Sequence, residues 1–141
     1  GISTDIIAGF CTETIDDHKD TLDMMRWVGY DSAFMFNYSQ RSNTLAAKKY
    51  EDDIPYDEKT RRLEEIIDLQ RQLSLESNQR DVGKVFEVLI EGESKRSKEQ
   101  LFGRNTQNKV IIFDRKDFKI GEYVQVKVIS CTSATLFGET I

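Results

Sequence analysis

The stretch from Gly103 to Asp114, Gly-Arg-Asn-Thr-Gln-Asn-Lys-Val-Ile-Ile-Phe-Asp, places two cations and a run of amides and hydroxyls directly before an apolar segment. Arg104 and Lys109 can offer charge to phosphates, while Asn105, Thr106, Gln107 and Asn108 can hydrogen-bond sugars, phosphates or exposed base edges. The expected form is a donor-rich hairpin tip, turned at Gly103 and anchored by the apolar residues behind it. Between Lys95 and Lys119 stand eight basic residues, among them Lys95, Arg96, Lys98 and Lys116, against three acidic ones. Such a window attracts phosphate even though the whole chain carries −5. A polar tip without a partner is the plainer alternative.

A second set of residues lies where apolar runs end. Gly9 and Glu13 follow the run Ile2–Phe10; Tyr38, Arg41 and Thr44 follow the run Ala33–Tyr38. In α/β barrels ligands bind at that end of the strands. A guanidinium fork at Arg41 can hold a carboxylate or phosphate with two bonds. Glu13 either joins a ligand network or only caps and braces the helix that follows. His18 is the only histidine, and Cys11 and Cys131 are isolated, so neither a zinc site nor a nucleophile–base pair is supported. His18 is expected on the surface of its helix. Trp27, Tyr30 and Phe34 are assigned to packing. Phe86, Phe102, Phe113 and Tyr123 are assigned mostly to a core, although one exposed aromatic beside Arg104 or Lys109 would make a stacking site.

The elements that position these residues follow from periodicity. Ile2–Phe10 has the look of a buried parallel strand, with Ile6, Ile7 and Phe10 in the core. Thr14 can cap a helix over Thr14–Val28, whose Asp16 and Asp17 suit the positive end of its dipole. Ala33–Tyr38 completes a strand–helix–strand unit, which implies parallel pairing. After a polar loop through Asp53, Pro55 fits the first turn of a long helix. Leu63, Ile66, Ile67, Leu69, Leu73 and Leu75 form its apolar stripe, with Glu58/Arg62 and Glu64/Asp68 on the solvated side. That helix should fade around Ser77–Asp81. Five short strands then follow, at Val85–Glu91, Gln100–Arg104, Val110–Phe113, Tyr123–Cys131 and Ala134–Thr140, a pattern that predicts a small closed antiparallel β-barrel of the oligonucleotide-binding kind.

Composition is consistent with two small domains. The chain has 141 residues, of which 38% are hydrophobic and 32% charged. Up to Arg80 there are ten basic and sixteen acidic residues, and from Asp81 ten and nine, so a boundary near residue 80 is expected. No apolar run is long enough to span a bilayer, and the start lacks a signal pattern. Isolated cysteines favour a reducing, cytoplasmic setting.

Four stretches, "TDIIAGFCTET" (4–14), "FMFNYSQRSNTLAA" (34–47), "VLIEGESKRS" (88–97) and "LFGRNTQNKVIIF" (101–113), stand in the order and spacing found in radical S-adenosylmethionine methylthiotransferases. The chain resembles most the branch that modifies isopentenyladenosine in tRNA. Where that family has Pro-Gly, Cys11-Thr12 and Ser42-Asn43 stand here; asparagine can still take the left-handed turn geometry.

The resemblance implies an α+β C-terminal fragment. Residues 1–80 would be a truncated βαβα portion of a partial TIM-like radical barrel, and 81–141 a TRAM domain, a five-stranded OB-like RNA-binding barrel. It also implies S-adenosylmethionine and two 4Fe-4S clusters in the parent enzyme, whose cluster cysteines this chain lacks, so no residue here is expected to be catalytic and the chain alone should be inactive. Gly9, Glu13, Tyr38, Arg41 and Thr44 would line the cofactor-side mouth. Lys95, Arg96, Lys98, Arg104, Asn105, Asn108, Lys109 and Lys116 would grip a tRNA anticodon stem-loop. An enzyme of the same family acting on threonylcarbamoyl-adenosine, and a binding-only module for RNA or ribosomal protein, are the alternatives. A cut barrel would leave bare edges through which the fragment self-associates.

Overall fold

Thr14 begins the first helix by reciprocal bonding. Its hydroxyl accepts from the Asp17 backbone N–H at 3.1 Å, and the Asp17 carboxylate accepts from the Thr14 N–H at 2.8 Å. Gly29, at φ 66°, ends that helix with its N–H on the Met25 carbonyl. The computed structural model describes residues 1–141. In it, strand β1 (Ser3–Ala8), helix α1 (Ile15–Val28) and strand β2 (Ser32–Asn37) form the expected crossover. β1 and β2 pair in parallel from Ser3 opposite Ser32 to Ala8 opposite Asn37. A short helix α2 (Leu45–Lys49), capped by Thr44, occupies the segment expected to be loop. Helix α3 (Tyr56–Gln79) follows, then β3 (Val85–Ser94), β4 (Ser97–Arg104), β5 (Val110–Asp114), β6 (Tyr123–Cys131) and β7 (Leu136–Thr140).

The chain divides into two compact units, Ile2–Leu73 and Ser74–Ile141. The charge-based boundary near residue 80 therefore falls inside the second unit, for a physical reason. The last turn of α3 is tied to the strands: Asn78 Nδ2 donates to the Thr132 and Ser133 carbonyls at 2.9 and 3.3 Å, and Lys109 Nζ donates to Ser77 Oγ at 2.8 Å.

In the first unit, Ala8, Met25 and Ile66 form the core, with Ile6, Leu22, Met35, Leu63, Leu69 and Leu73 around them. Burial on both faces of the sheet does not hold. The helices cover one face, and Ile7, Phe34 and Phe36 on the other are 53%, 65% and 56% exposed. Phe10 and Trp27 lie outside the core as well, at 40% and 82% exposed. His18 is the converse case. It lies buried instead of on the surface, with Nε2 2.5 Å from Glu65 of α3, because its helix position faces α3.

In the second unit the strands close in the order β3-β4-β5-β7-β6. All neighbours are antiparallel except β5 and β7, which pair in parallel through Ile111–Leu136 and Ile112–Phe137, so the barrel is not wholly antiparallel as expected. Alternate residues, including Val88, Leu101, Ile111, Phe113, Val126 and Leu136, fill the interior. Gly103 is not a turn residue. It lies within β4, where a Cβ would come 2.2 Å from the Leu89 carbonyl oxygen, so it lets two strands approach.

Candidate nucleic-acid interface

The hairpin tip between β4 and β5 is organised by its own residues. Asn105 is buried, and its Oδ1 accepts from the Gln107 and Lys109 N–H groups at 3.0 Å each, which fixes the turn. Asn108 takes φ 63°, and its exposed side chain receives Arg104 Nη1 at 3.3 Å. Lys109 does not reach solvent as a phosphate-binding tip residue. Its ammonium is engaged by Asp81 at 2.6 Å and by Ser77, in a site where both charged side chains are buried. Burial opposes ionisation of Asp81, but hydrogen bonds from Lys109 and Lys84 outweigh it and hold the carboxyl below its ordinary range.

The exposed cations lie beside this tip. Arg104 is half-exposed, with Nε on Glu91 at 3.2 Å. Arg115 is paired with Glu93, and Lys116 Nζ donates to the Thr140 carbonyl at 3.4 Å. Lys95, Arg96 and Lys98, in and after the β3–β4 turn, are exposed and their side chains make no ion pair within the chain. Lys95, Arg96 and Arg104 edge a groove of about 510 Å³ on the outer face of the barrel, whose floor includes Phe102, Ile112 and Phe137. Phe102 was assigned to the core; strand alternation turns it outward, because its neighbours Leu101 and Gly103 point in. Tyr123, also assigned to the core, is exposed on β6, whereas Phe113 lies in the interior and Phe86 packs against it.

The residues at the strand ends of the first unit are gathered into one polar cluster. The Gly9 N–H donates to Glu13 Oε1 at 3.1 Å, and the same oxygen accepts from Arg62 Nη1 at 2.7 Å. Arg62 Nε also holds Glu58 at 2.8 Å, so Arg62 is buried rather than on the solvated side. With Arg61 and Arg62 donating to it, the Glu58 carboxyl is lowered to about 2. Glu13 thus braces the loop. Lys59, 4% exposed, is held by both Asp52 oxygens at 2.6 and 2.7 Å, donates to the Tyr38 carbonyl at 3.3 Å and lies over the Tyr38 ring. A Cβ on Gly9 would meet Lys59 Cγ at 2.4 Å, which explains the glycine. Tyr38 stacks edge-on with Phe10, their centroids 4.9 Å apart. Burial and neighbouring Cys11 raise its phenol above the ordinary range.

Thr44 caps α2 and its hydroxyl donates to the Arg41 carbonyl at 2.8 Å. The Arg41 side chain itself is exposed and makes no ion pair, so of the five expected residues it alone has its charged group open at this end. Asn43 and Thr12 stand at φ 68° and 72°, the left-handed geometry glycine would take. Thr12, β-branched and therefore strained there, is held by its N–H on Asp53 Oδ1 at 2.8 Å. Sequence reasoning missed Lys59, Arg62 and Asp52. Nothing in helical spacing marks them, since Glu58 and Arg62 at i,i+4 read as an ordinary surface pair.

Residues 79–141 match the model of the TRAM domain, which identifies the closed barrel as one. Over 140 residues the chain is 59% identical to a tRNA-2-methylthio-N(6)-dimethylallyladenosine synthase of Parabacteroides distasonis, covering 99% of the chain and 31% of that relative. Synthases of the same name from Bacteroides thetaiotaomicron and Porphyromonas gingivalis are each 55% identical, over 100% and 99% of the chain and 31% and 30% of their own lengths. The chain belongs to this family, the MiaB methylthiotransferases, as a TRAM-containing portion that spans about three tenths of the length of these relatives. No helix is long and apolar enough to cross a membrane.

Proposed function

We propose that this chain is the RNA-gripping and substrate-facing portion of a tRNA methylthiotransferase that acts, in the cytoplasm, on isopentenyladenosine beside the anticodon. The observation that carries this reading is the groove on the TRAM barrel, where the open cations Lys95 and Arg96 edge an aromatic floor. Phosphate charge meets Lys95, Arg96, Lys98 and Arg104, with Lys116 and Asn108 nearby in the chain as secondary contacts. Asn105 and Lys109 serve by fixing the hairpin rather than by touching RNA. Arg41 is the residue available to a carboxylate or phosphate at the strand ends of the first unit.

The family reaction uses S-adenosylmethionine and two 4Fe-4S clusters. The residues here do not fit the clusters. Cys11 and Cys131 belong to different units, and no three His, Cys, Asp or Glu side chains converge, whereas such a cluster needs at least three thiolates at one place. No catalytic step is therefore assigned to this chain, and it is expected to be inactive alone. The first unit would be part of a larger radical barrel, which accounts for the exposed face of Ile7, Phe34 and Phe36. By itself the chain should self-associate through that face. Light scattering over a concentration series should show mass rising with concentration, and Phe34→Ser with Phe36→Ser should suppress the rise; a constant monomer mass would contradict this.

The RNA reading is tested by charge reversal. Lys95→Glu with Arg96→Glu should weaken an anticodon stem-loop by about tenfold or more, since each lost phosphate contact also loses counterion release. Glu64→Gln on α3 should leave affinity unchanged. Equal affinity for the reversed and unaltered chains would remove the groove edge from the interface.

A further inference from the structure

We propose that the groove on the TRAM barrel seats one unpaired RNA base, so that the barrel selects a single-stranded loop nucleotide over duplex. This rests on the RNA-binding reading above. The floor of the groove is a continuous cross-strand row: Gly92 of β3 faces Phe102 of β4, Phe102 faces Ile112 of β5, and Ile112 faces Phe137 of β7. The row lies on the outer face: a register shift between Ile90 and Gly92 brings Gly92 to the side on which β3 presents Glu87 and Glu91 to solvent. Gly92 sets the orientation of the ring, since a Cβ there would come 2.9 Å from Phe102 Cε1. Phe102 therefore extends its ring toward a strand that has no side chain at that point, and it borders the groove.

The dimensions and charges match a nucleotide. A volume of about 510 Å³ falls in the range of small-ligand sites, far below what a duplex would need. The edge carries Lys95 and Arg96 without internal partners, and Arg104 held in place by Glu91 and Asn108. Bases within a helix are stacked and show no face, so only an unstacked base can use an aromatic floor while its phosphates reach the cations.

The test uses the full chain and three RNAs: an anticodon-type hairpin, a blunt duplex of equal length, and hairpins in which each loop nucleotide in turn is abasic. Fluorescence anisotropy should show the hairpin bound at least several-fold tighter than the duplex, with one abasic position losing most of that advantage. Phe102→Ala should weaken the hairpin by roughly 5- to 100-fold and the duplex little, while Phe102→Trp retains binding. Should Phe102→Ala fail to fold, as judged by circular dichroism, the abasic series decides. If hairpin and duplex bind equally and no abasic position matters, yet affinity still falls with salt, the base seat is wrong and the RNA grip stands. If no RNA binds with salt dependence, both readings fall.

Discussion

Replacing Arg62 by alanine should destabilise the Ile2–Leu73 unit by about 3–5 kcal/mol, the scale for removing one member of a buried ion pair. The guanidinium is 6% exposed and Glu13 12%. Arg62 Nη1 reaches both Glu13 Oε1 and the Glu13 carbonyl, at 2.7 and 2.9 Å, while Nε reaches Glu58. Truncation leaves the Glu13 carboxylate with only the Gly9 N–H, and water reaches it poorly. The cost therefore exceeds that of an exposed helix pair, which is usually below about 1 kcal/mol. Arg62→Met with Glu13→Gln should recover much of the loss, since the stranded charge is removed with its partner. Urea titration measures both. A loss below about 1 kcal/mol for Arg62→Ala would mean that water solvates Glu13 and that the cluster is not closed.

Lys109→Ala should cost the Ser74–Ile141 unit about 3 kcal/mol, near the lower end of the same range because Lys84 remains beside Asp81 at 3.0 Å. The pH dependence adds a second readout. Asp81 is held below its ordinary range in the folded chain. Its contribution to stability is thus fully present above the unfolded value of about 3.9 and is lost as pH falls through the lowered folded value. Removing Lys109 removes the larger cause of that lowering, so the variant should lose less additional stability than the parent between about pH 4 and pH 2. Denaturant titrations at pH 7, 4 and 3 give the comparison. Parallel loss in both chains would place Asp81 outside the ion pair in solution.

Lys109 also marks what was legible in the sequence. It shares the parity of Ile111 and Phe113, which fill the barrel, so alternation alone places it inward, and a buried lysine requires an acid. The run of donors around it drew attention instead to a solvated tip. Phe102 has the opposite parity to Leu101 and Gly103, so its outward position beside Arg104 was readable by the same rule. Local signals were reliable where the cause is local: the Thr14 helix cap, the strand–helix–strand unit and the five strand positions all follow from nearby residues. Arg62 could not be read, because Glu13 lies 49 positions away and only the packing of α3 against the first loop buries the pair. Gly103 was misread for a similar reason, since the atom that requires it is the Leu89 carbonyl on another strand.

The RNA interface is tested most directly by mapping it on the full chain. In an amide NMR titration with an anticodon-type hairpin, the largest shifts should fall on Lys95 and Arg96, on Phe102 to Arg104, and on Thr132 to Phe137, the segments that line the groove. They should diminish as salt is raised. Shifts confined to the outer face of β6, at Gln125 and Lys127, or to the strand ends near Arg41, with the groove unmoved, would contradict the account.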